Sequence, residues 1–221
     1  MAAIITFIGW HDSGKTTLVT QVVTELITLG YRVAVIKSTS DEGIQFETPG
    51  TDTYKHKAAG ADSVMLVAPD QMVLQTKNCN LSLRTLAHRY FPDVDLVIGE
   101  GFKTAKRIPK IEVFRNLDQS LRKEVHGVVA VATDLAGVTG EYVFRLDAAR
   151  DIALFIEKRY LRSKGITEIA TLLVNGEKIP LKDFVQEALA GTVHGFINTL
   201  KLDKDMKEIE LRITFSNGVM R

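Results

Sequence analysis

The segment from Ala3 to Thr17 constrains the fold of this chain more than any other feature. An apolar, strand-like run leads into the pattern Gly-x-x-x-x-Gly-Lys-Thr at residues 9–16, and a helical apolar pattern follows from about Lys15 to Leu29. A glycine-rich turn between a buried strand and a helix presents main-chain N–H groups to an anion, and the helix dipole adds to the attraction. The segment therefore predicts a strand–loop–helix unit that holds phosphate, within an α/β fold.

The residue types of this loop match the chemistry of a polyphosphate. Gly9 and Gly14 allow the backbone to turn its N–H groups inward, Lys15 neutralises the β and γ phosphates, and the Thr16 hydroxyl ligates Mg²⁺. The alternative is a glycine-rich turn with a solvated lysine. We favour the phosphate site because the strand before the loop and the helix after it are both present.

Short apolar runs recur along the first 160 residues and alternate with helical patterns. This alternation predicts a mainly parallel sheet of the P-loop NTPase type, flanked by helices on both faces. One pair of runs, "SVMLVAPDQMVLQT", reads instead as a local antiparallel hairpin with a Pro-Asp turn. The predicted helices cover residues 15–29, 52–59, 81–90 and 148–160, and the predicted strands lie within residues 3–9, 31–37, 63–68, 71–76, 95–101, 110–115 and 127–133.

The pattern changes after about Leu161. "EIATLLVNGEKIPL" predicts a hairpin around Asn175-Gly176, residues 181–201 predict an amphipathic helix, and "EIELRITF" predicts a last strand. We therefore divide the chain into a nucleotide-binding domain, residues 1–160, and a small α+β appendage, residues 161–221, that serves docking or dimerisation.

Composition excludes several classes of function. The net charge is +1 across 221 residues, so nothing indicates a nucleic-acid partner. Cys79 is the only cysteine, which excludes an internal disulfide and a cysteine-based zinc site and fits a reducing compartment. No apolar run approaches the roughly 20 residues that span a bilayer. We expect a cytoplasmic protein without a membrane partner.

Other charged residues are predicted to join the loop. Glu100 ends the apolar run "DLVIGE", and in open α/β sheets ligands bind beyond the carboxyl ends of strands, so its carboxylate can serve Mg²⁺ or the attacking water. The alternative is an ordinary strand-end acid. Lys37 ends "VAVIK" and is expected at the same edge. Asp52 is either a site residue or the N-cap of a short helix, and both interpretations stay open.

Two later features also stay open. A basic run (Lys103, Lys106, Arg107 and Lys110) follows Glu100, and it is either a solvated loop or a contact to the phosphate of a second substrate. Asp134 ends the run "VATD" and is a candidate contact to the nucleobase. The chain has no Asn-Lys-x-Asp sequence, the usual guanine reader of GTPases.

Four blocks in this order, "GWHDSGKTTL", "VIKSTS", "ETPGTDTYKHKAAGA" and "LVIGEGFK", resemble the MobB family of molybdopterin-guanine dinucleotide biosynthesis proteins. The resemblance covers about residues 3–135. Its Pro-Gly-x-Asp and Glu-Gly-Phe-Lys blocks are more specific than the phosphate loop, which many unrelated NTPases share.

The resemblance implies an adaptor that binds GTP and Mg²⁺, has weak GTPase activity, and assists GMP attachment to molybdopterin beside the guanylyltransferase. It also implies a homodimer through extended strands. By motif, the nucleotide site includes Asp52, Lys103 and the loop residues, namely Gly9, His11, Asp12, Ser13, Gly14, Lys15, Thr16 and Thr17; Lys37 and Asp134 join from their positions. Lys15 and Glu100 are the catalytic candidates, and Thr16 and Glu100 are the metal candidates.

The sequence departs from the family pattern at three positions. Ser38 and Ser40 stand where relatives usually carry histidines, and Glu47 stands where an aspartate is usual. Guanine specificity itself rests on the resemblance. Two further interpretations stay open: an ATP-using small-molecule kinase or ligase of the dethiobiotin-synthetase type, and a regulatory switch in which hydrolysis is incidental.

Overall fold

The structure is a computed structural model. It describes residues 2–44, 48–162, 169–174, 177–200, 209–211, 213, 215–216 and 219–220. The chain divides into two compact units, Met1–Ile166 and Thr167–Arg221, which are described separately. The assignment of a separate role to each unit stays a prediction.

The first unit contains a six-stranded sheet in which every neighbouring pair of strands is parallel. The strand order is β2-β5-β1-β6-β7-β8. This confirms the predicted mainly parallel α/β architecture. The elements are β1 (Ala3–Ile8), α1 (Lys15–Thr28), β2 (Val33–Lys37), α2 (Asp52–Ala58), β3 (Ser63–Val67), β4 (Met72–Thr76), α3 (Leu83–Tyr90), β5 (Leu96–Glu100), β6 (Lys110–Val113), β7 (Val128–Ala132), β8 (Val143–Phe144) and α4 (Ala149–Ile156).

Helices cover both faces of the sheet because its central strands are apolar on both sides. On one face, α1 buries Leu18, Val22 and Leu26, whose spacing of four places them on one helix stripe. On the other face, Ala87 of α3 packs against Val97 of β5. Burial on both sides explains why these strands read as continuous apolar runs rather than alternating ones.

The edge of the sheet at β8 differs from the prediction. β8 has two residues, too few to produce a periodic signal, so no strand was predicted there. Aromatic rings of Tyr142, Phe144 and Tyr160 lie around Phe155, with centroids 4.7–6.1 Å from its ring. Helix α4 ends at Ile156, and a π-helical turn continues to Leu161.

The predicted β3–β4 hairpin is confirmed. Its strands pair antiparallel from Ser63 with Thr76 to Val67 with Met72, and the Ala68 N–H closes the turn on the Gln71 carbonyl at 2.8 Å. The hairpin forms a sheet of its own, separate from the six-stranded sheet. Most of its apolar side chains are exposed.

The second unit contains β9 (Leu172–Val174), β10 (Glu177–Ile179), α5 (Asp183–Ile197), β11 (Phe215–Ser216) and β12 (Val219–Met220). β9 and β10 pair antiparallel as predicted, and the predicted turn Asn175-Gly176 lies outside the described residues. The predicted strand over residues 208–215 is wrong for residues 209–211 and 213, which are not in a strand. Residues 208, 212 and 214 of that prediction lie outside the described residues.

A search of the described ranges for a helix long and apolar enough to cross a membrane found none.

Candidate functional site

The parallel sheet brings the carboxyl ends of four strands to one edge. In the register of the sheet, Glu100 at the end of β5 pairs with Phe7 of β1 and with Lys37 of β2. Gly9 follows β1, and Arg115 follows β6 on the other side of β1. Residues far apart in the sequence therefore meet around the loop from Gly9 to Thr17.

The backbone of this loop adopts conformations that suit an anion site. Asp12 and Gly14 have φ of +57° and +89°, in the left-handed region, which re-aims the N–H groups between them. Gly14 is the N-cap of α1, and no side chain caps the helix. The first-turn N–H groups of α1 therefore lack a side-chain acceptor and face the position where a phosphate would bind.

Lys15 folds back over the loop. Its ammonium donates to the main-chain carbonyl of Trp10 and to the Ser13 hydroxyl, the latter at 3.3 Å. Burial lowers the pKa of the Lys15 ammonium below its ordinary value, and Glu100 opposes this shift. Lys103 and Lys37 lower the pKa of Lys15 further. A polyphosphate would relieve the mutual repulsion of these cations.

Thr16, Lys37 and Glu100 form one contact network beside Lys15. The Thr16 hydroxyl donates to Oε1 of Glu100 at 2.6 Å, and the Lys37 ammonium lies 3.3 Å from the same oxygen. Glu100 is only 6% exposed, and a buried carboxylate is unfavourable unless it is paired. Lys37 and the Thr16 hydroxyl provide the compensating contacts. The structure thus brings together the hydroxyl and the carboxylate that the sequence predicted for Mg²⁺.

Metal ligands supplied by protein alone are scarce. Within the described ranges, no group of three or more His, Cys, Asp or Glu side chains could hold a metal ion. A hydroxyl and one carboxylate nevertheless fit Mg²⁺, because this ion keeps several waters and takes its other ligands from substrate phosphates. The donor set therefore fits a metal that arrives with a nucleotide.

Lys103 lies at the loop, as predicted. Its ammonium sits 4.0 Å from the centroid of the Trp10 ring. The turn after β5 places it there, since Gly101 and Phe102 have φ of +95° and +52°. This contact adds a second cation to the same side of the loop as Trp10.

The other predicted loop residues differ in exposure. Ser13 is buried, and its hydroxyl accepts from Lys15. His11 and Asp12 pair with each other at 2.8 Å and point into solvent. Thr17 is exposed on the first turn of α1. The loop therefore contributes mainly its backbone, Lys15 and Thr16 to the candidate site.

Two predicted site residues, Asp52 and Asp134, make their contacts away from the Gly9–Thr17 loop. Asp52 pairs with Lys55 at 2.9 Å, and among the described residues no contact joins it to the Gly9–Thr17 loop. The N-cap interpretation of Asp52 is wrong, because Thr51 is the N-cap and accepts from the Tyr54 N–H at 3.3 Å. Asp134 accepts from the Leu146 N–H at 3.1 Å and is exposed beyond β7.

Lys110 corrects the interpretation of the basic run. It is 2% exposed, and its ammonium donates to the main-chain carbonyls of Ala105 and Ile108. Burial lowers its pKa below the ordinary value. Lys110 is therefore neither part of a solvated loop nor a phosphate contact; it begins β6, at the opposite end of the strand from Arg115.

Arg115 is a neighbour of the loop that no sequence pattern predicted. A Cβ built on Gly14 would lie 3.1 Å from Nη2 of Arg115 and 3.4 Å from its Nε. The sequence did show a strand-like run ending at this arginine. It did not show that β6 lies beside β1, which is what brings the guanidinium to the loop.

Comparison with known proteins decides the family. The family model for molybdopterin guanine dinucleotide synthesis protein B, MobB, matches residues 4–134, more than half of the chain. The chain belongs to the MobB family. The resemblance seen in the sequence is thereby confirmed.

Several relatives of this MobB-family chain are known. The molybdopterin-guanine dinucleotide biosynthesis adapter protein of Haemophilus influenzae is 34% identical over 67% of this chain and 84% of its own length. The adapter protein of Escherichia coli K12 is 32% identical over 61% of this chain and 80% of its own length. A Methanocaldococcus jannaschii protein, which bears the adapter name provisionally, is 28% identical over 96% of this chain and 98% of its own length. This last match extends through the second unit.

Solved structures agree with the fold. A crystal structure of molybdopterin-guanine biosynthesis protein B is 30% identical with a TM-score of 0.59, and the match covers 70% of this chain and 98% of that chain. The structure of Bacillus subtilis MobB, at 22% identity and a TM-score of 0.57, supports the fold alone.

Proposed function

We propose that this MobB-family chain is an adapter in molybdopterin-guanine dinucleotide synthesis that binds GTP with Mg²⁺ in the Gly9–Thr17 loop. The observation that carries the proposal is the 2.6 Å contact between the Thr16 hydroxyl and the Glu100 carboxylate, next to Lys15. The names of the relatives support the pathway and the adapter role. The conformation of the loop backbone and the cations around it support the proposal that the ligand is a triphosphate.

Each group has a distinct task in this proposal. The loop N–H groups and the Lys15 ammonium bind the phosphates, and Lys37 and Lys103 add positive charge around them. Thr16 and Glu100 hold Mg²⁺, which supplies charge neutralisation at the phosphates when it is bound. Glu100 also orients a water for slow hydrolysis. In a separate reaction, a molybdopterin guanylyltransferase with which this chain associates joins the α-phosphate of GTP to the molybdopterin phosphate, and pyrophosphate leaves.

The proposal includes a homodimer formed through the β3–β4 hairpin. Met65, Leu66 and Val67 of β3 are exposed, and so are Met72 and Val73 of β4. Two-stranded hairpins are marginally stable in water unless a third strand or another surface covers them. A second copy of the hairpin would provide that cover and extend the strands across the two copies.

The first test is nucleotide binding by calorimetry, with GTP, ATP and CTP titrated in the presence of Mg²⁺. We expect GTP to bind most tightly. Lys15→Ala should weaken GTP binding at least tenfold, because it removes the charge that faces the phosphates. Lys123→Ala, at an exposed position, is the matched control. Preferential binding of ATP would favour the kinase or ligase interpretation, and equal GTP binding by the Lys15 variant would remove the loop from the proposal.

The second test separates binding from hydrolysis. Glu100→Gln keeps the size of the side chain but removes the charge beside the metal. We expect slower phosphate release at saturating GTP with a much smaller loss of GTP affinity. Turnover equal to that of the unaltered chain would contradict the role of Glu100 at the metal or the water.

A further inference from the structure

Both glycines of the Gly9–Thr17 loop face the end of strand β6. A Cβ on Gly9 would collide with the main-chain carbonyl oxygen of Val113, the last residue of β6. The three atoms nearest to a Cβ on Gly14 all belong to the guanidinium of Arg115, namely Nη2, Nε and Cζ at 3.1, 3.4 and 3.7 Å. The similarity of these three distances shows that the guanidinium lies alongside Gly14 rather than touching it with one atom.

The backbone that carries Arg115 is well anchored. The Phe114 N–H donates to the Ala132 carbonyl at 3.2 Å, and the Phe114 ring is fully buried. Further along, the fully buried carboxylate of Glu112 accepts from the Leu121 N–H and pairs with Arg122 at 3.5 Å. Strand β6 and the segment after it are therefore tied back to the sheet on both sides of Arg115.

The backbone on both sides of Arg115 is anchored, but the Arg115 side chain is not. Within the ranges that the structure describes, no hydrogen bond or ion pair satisfies its guanidinium, and the residue is exposed. Lys37, on the opposite flank of the loop, has its charge paired with Glu100. An arginine without a partner, held beside an anion loop, remains available for a ligand.

The order of the sheet indicates which part of the ligand Arg115 meets. Glu100 and Lys37 end β5 and β2, on one side of β1, whereas Arg115 follows β6 on the other side. The metal and the terminal phosphates belong with Thr16 and Glu100. The ends of β6 and β7, on the Arg115 side of β1, are then the side that we assign to the nucleoside.

We propose that Arg115 is a positioning and specificity residue for the nucleoside end of the nucleotide, with its guanidinium plane stacked on the face of the purine. Arginine suits this contact because its planar, weakly hydrated cation packs on aromatic rings in a way that an ammonium does not. The inference rests on the proposed function, since it assumes that a nucleoside triphosphate occupies the loop.

The test compares a ligand that has a nucleoside with one that lacks it. Binding of GTP, GDP and inorganic tripolyphosphate is measured by calorimetry with Mg²⁺, for the unaltered chain and for Arg115→Ala. Loss of one base-stacking contact should weaken GTP and GDP binding about tenfold. Tripolyphosphate binding should change less than about twofold, because phosphates meet the other groups of the loop. Arg150→Ala, an exposed arginine of α4, is the matched control.

Arg115→Lys separates stacking from charge. It keeps the positive charge and loses the plane, so GTP binding should stay weakened by several-fold. Full recovery of GTP affinity by this variant, or an equal loss for tripolyphosphate and GTP, would show a simple charge contact to phosphate and would overturn the inference.

Hydrolysis gives an independent measurement. Arg115→Ala should raise the KM for GTP and leave turnover at saturation within about twofold, because the contact lies away from the terminal phosphate. A fall in turnover at unchanged KM would place Arg115 at the reacting phosphate and overturn the inference. Absence of GTP binding by the unaltered chain would overturn the proposed function as well, whereas tight GTP binding that ignores Arg115 overturns only this inference.

Discussion

Strands β5 and β3 each have five residues and similarly apolar sequences, LVIGE and SVMLV, but their surroundings are opposite. Every residue of β5 is buried, whereas Val67 and Met65 of β3 are 70% and 50% exposed. The difference arises from what covers each strand rather than from the strand itself. An apolar run therefore predicts a strand whose side chains will be buried. Which elements bury them, within this chain or in a partner, depends on the rest of the molecule.

β5 is buried both at its edges and on its faces. β5 lies between β1 and β2, and side chains of helices pack on both of its faces. β3 pairs only with β4, in a sheet of two strands. A contiguous apolar surface of this kind is typical of an interaction site. This contrast is the physical basis for placing the dimer contact at the hairpin.

The largest effect is expected when one branched apolar side chain in each strand is truncated to alanine. Ile98 of β5 is fully buried, so Ile98→Ala removes buried methylenes and leaves a cavity. We expect the free energy of unfolding to fall by about 2–5 kcal/mol. Val67→Ala, in the exposed strand, should change it by less than about 0.5 kcal/mol in dilute protein. Urea denaturation monitored by circular dichroism measures both values.

Dilution sharpens this comparison. If copies of the hairpin cover one another, the cost of Val67→Ala should grow as the protein concentration rises, while the cost of Ile98→Ala should stay constant. A loss for Val67→Ala that equals the loss for Ile98→Ala at every concentration would mean that the hairpin is as well covered within one chain as β5 is.

An addition of one methyl group should have a smaller effect, and its sign should depend on the region. A Cβ on Gly99 of β5 would lie 2.6 Å from Cδ2 of Leu83 and 2.8 Å from Cγ2 of Thr6. Gly99→Ala should therefore destabilise the fold by about 1–3 kcal/mol through overpacking. Gly191 of α5 has open space around its Cβ position, and Gly191→Ala should stabilise that helix by about 0.5–1 kcal/mol.

Thermal unfolding and amide exchange would measure the two glycine variants. Amide exchange is needed for Gly191→Ala because it reports the opening of individual elements, and α5 lies in the second unit. Unchanged stability of Gly99→Ala would mean that Leu83 moves aside at little cost, and would weaken the description of β5 as tightly packed.

The architecture of the first unit was predictable from sequence because its signals are local and strong. The helix after Gly14 and the seven longer strands follow from apolar periodicity and from glycine positions. β8 was missed because two residues carry no period. The order of the strands was not predictable, since neighbours such as β1 and β6 are separated by about 100 residues of sequence, and only packing decides which strands meet.

The candidate site likewise contains residues that could be predicted from sequence and residues that could not. Lys15 and Thr16 were predicted because they complete the Gly-x-x-x-x-Gly-Lys-Thr loop, and Glu100 because it ends an apolar strand. The structure brings them together at one edge of the sheet. Arg115 was missed because its role depends on strand order. Lys110 was misread because a lysine in a basic run gives no sign that its ammonium will be buried against carbonyl groups.

The smallest effect on folding and the largest on assembly should come from a charge in the hairpin. Val67→Asp adds a carboxylate where the side chain is 70% exposed, so the single chain loses little stability, less than about 0.5 kcal/mol. A dimer that buries this position would have to desolvate the new charge without a partner, which is unfavourable by several kcal/mol. We expect sedimentation equilibrium to show a dimer for the unaltered chain and a monomer for Val67→Asp. Leu117→Asp, at another exposed apolar residue outside the hairpin, should remain dimeric. A dimer that persists in Val67→Asp but dissociates in Leu117→Asp would move the contact away from β3 and show that exposed apolar strands in this fold are not sufficient to mark the surface that a partner covers.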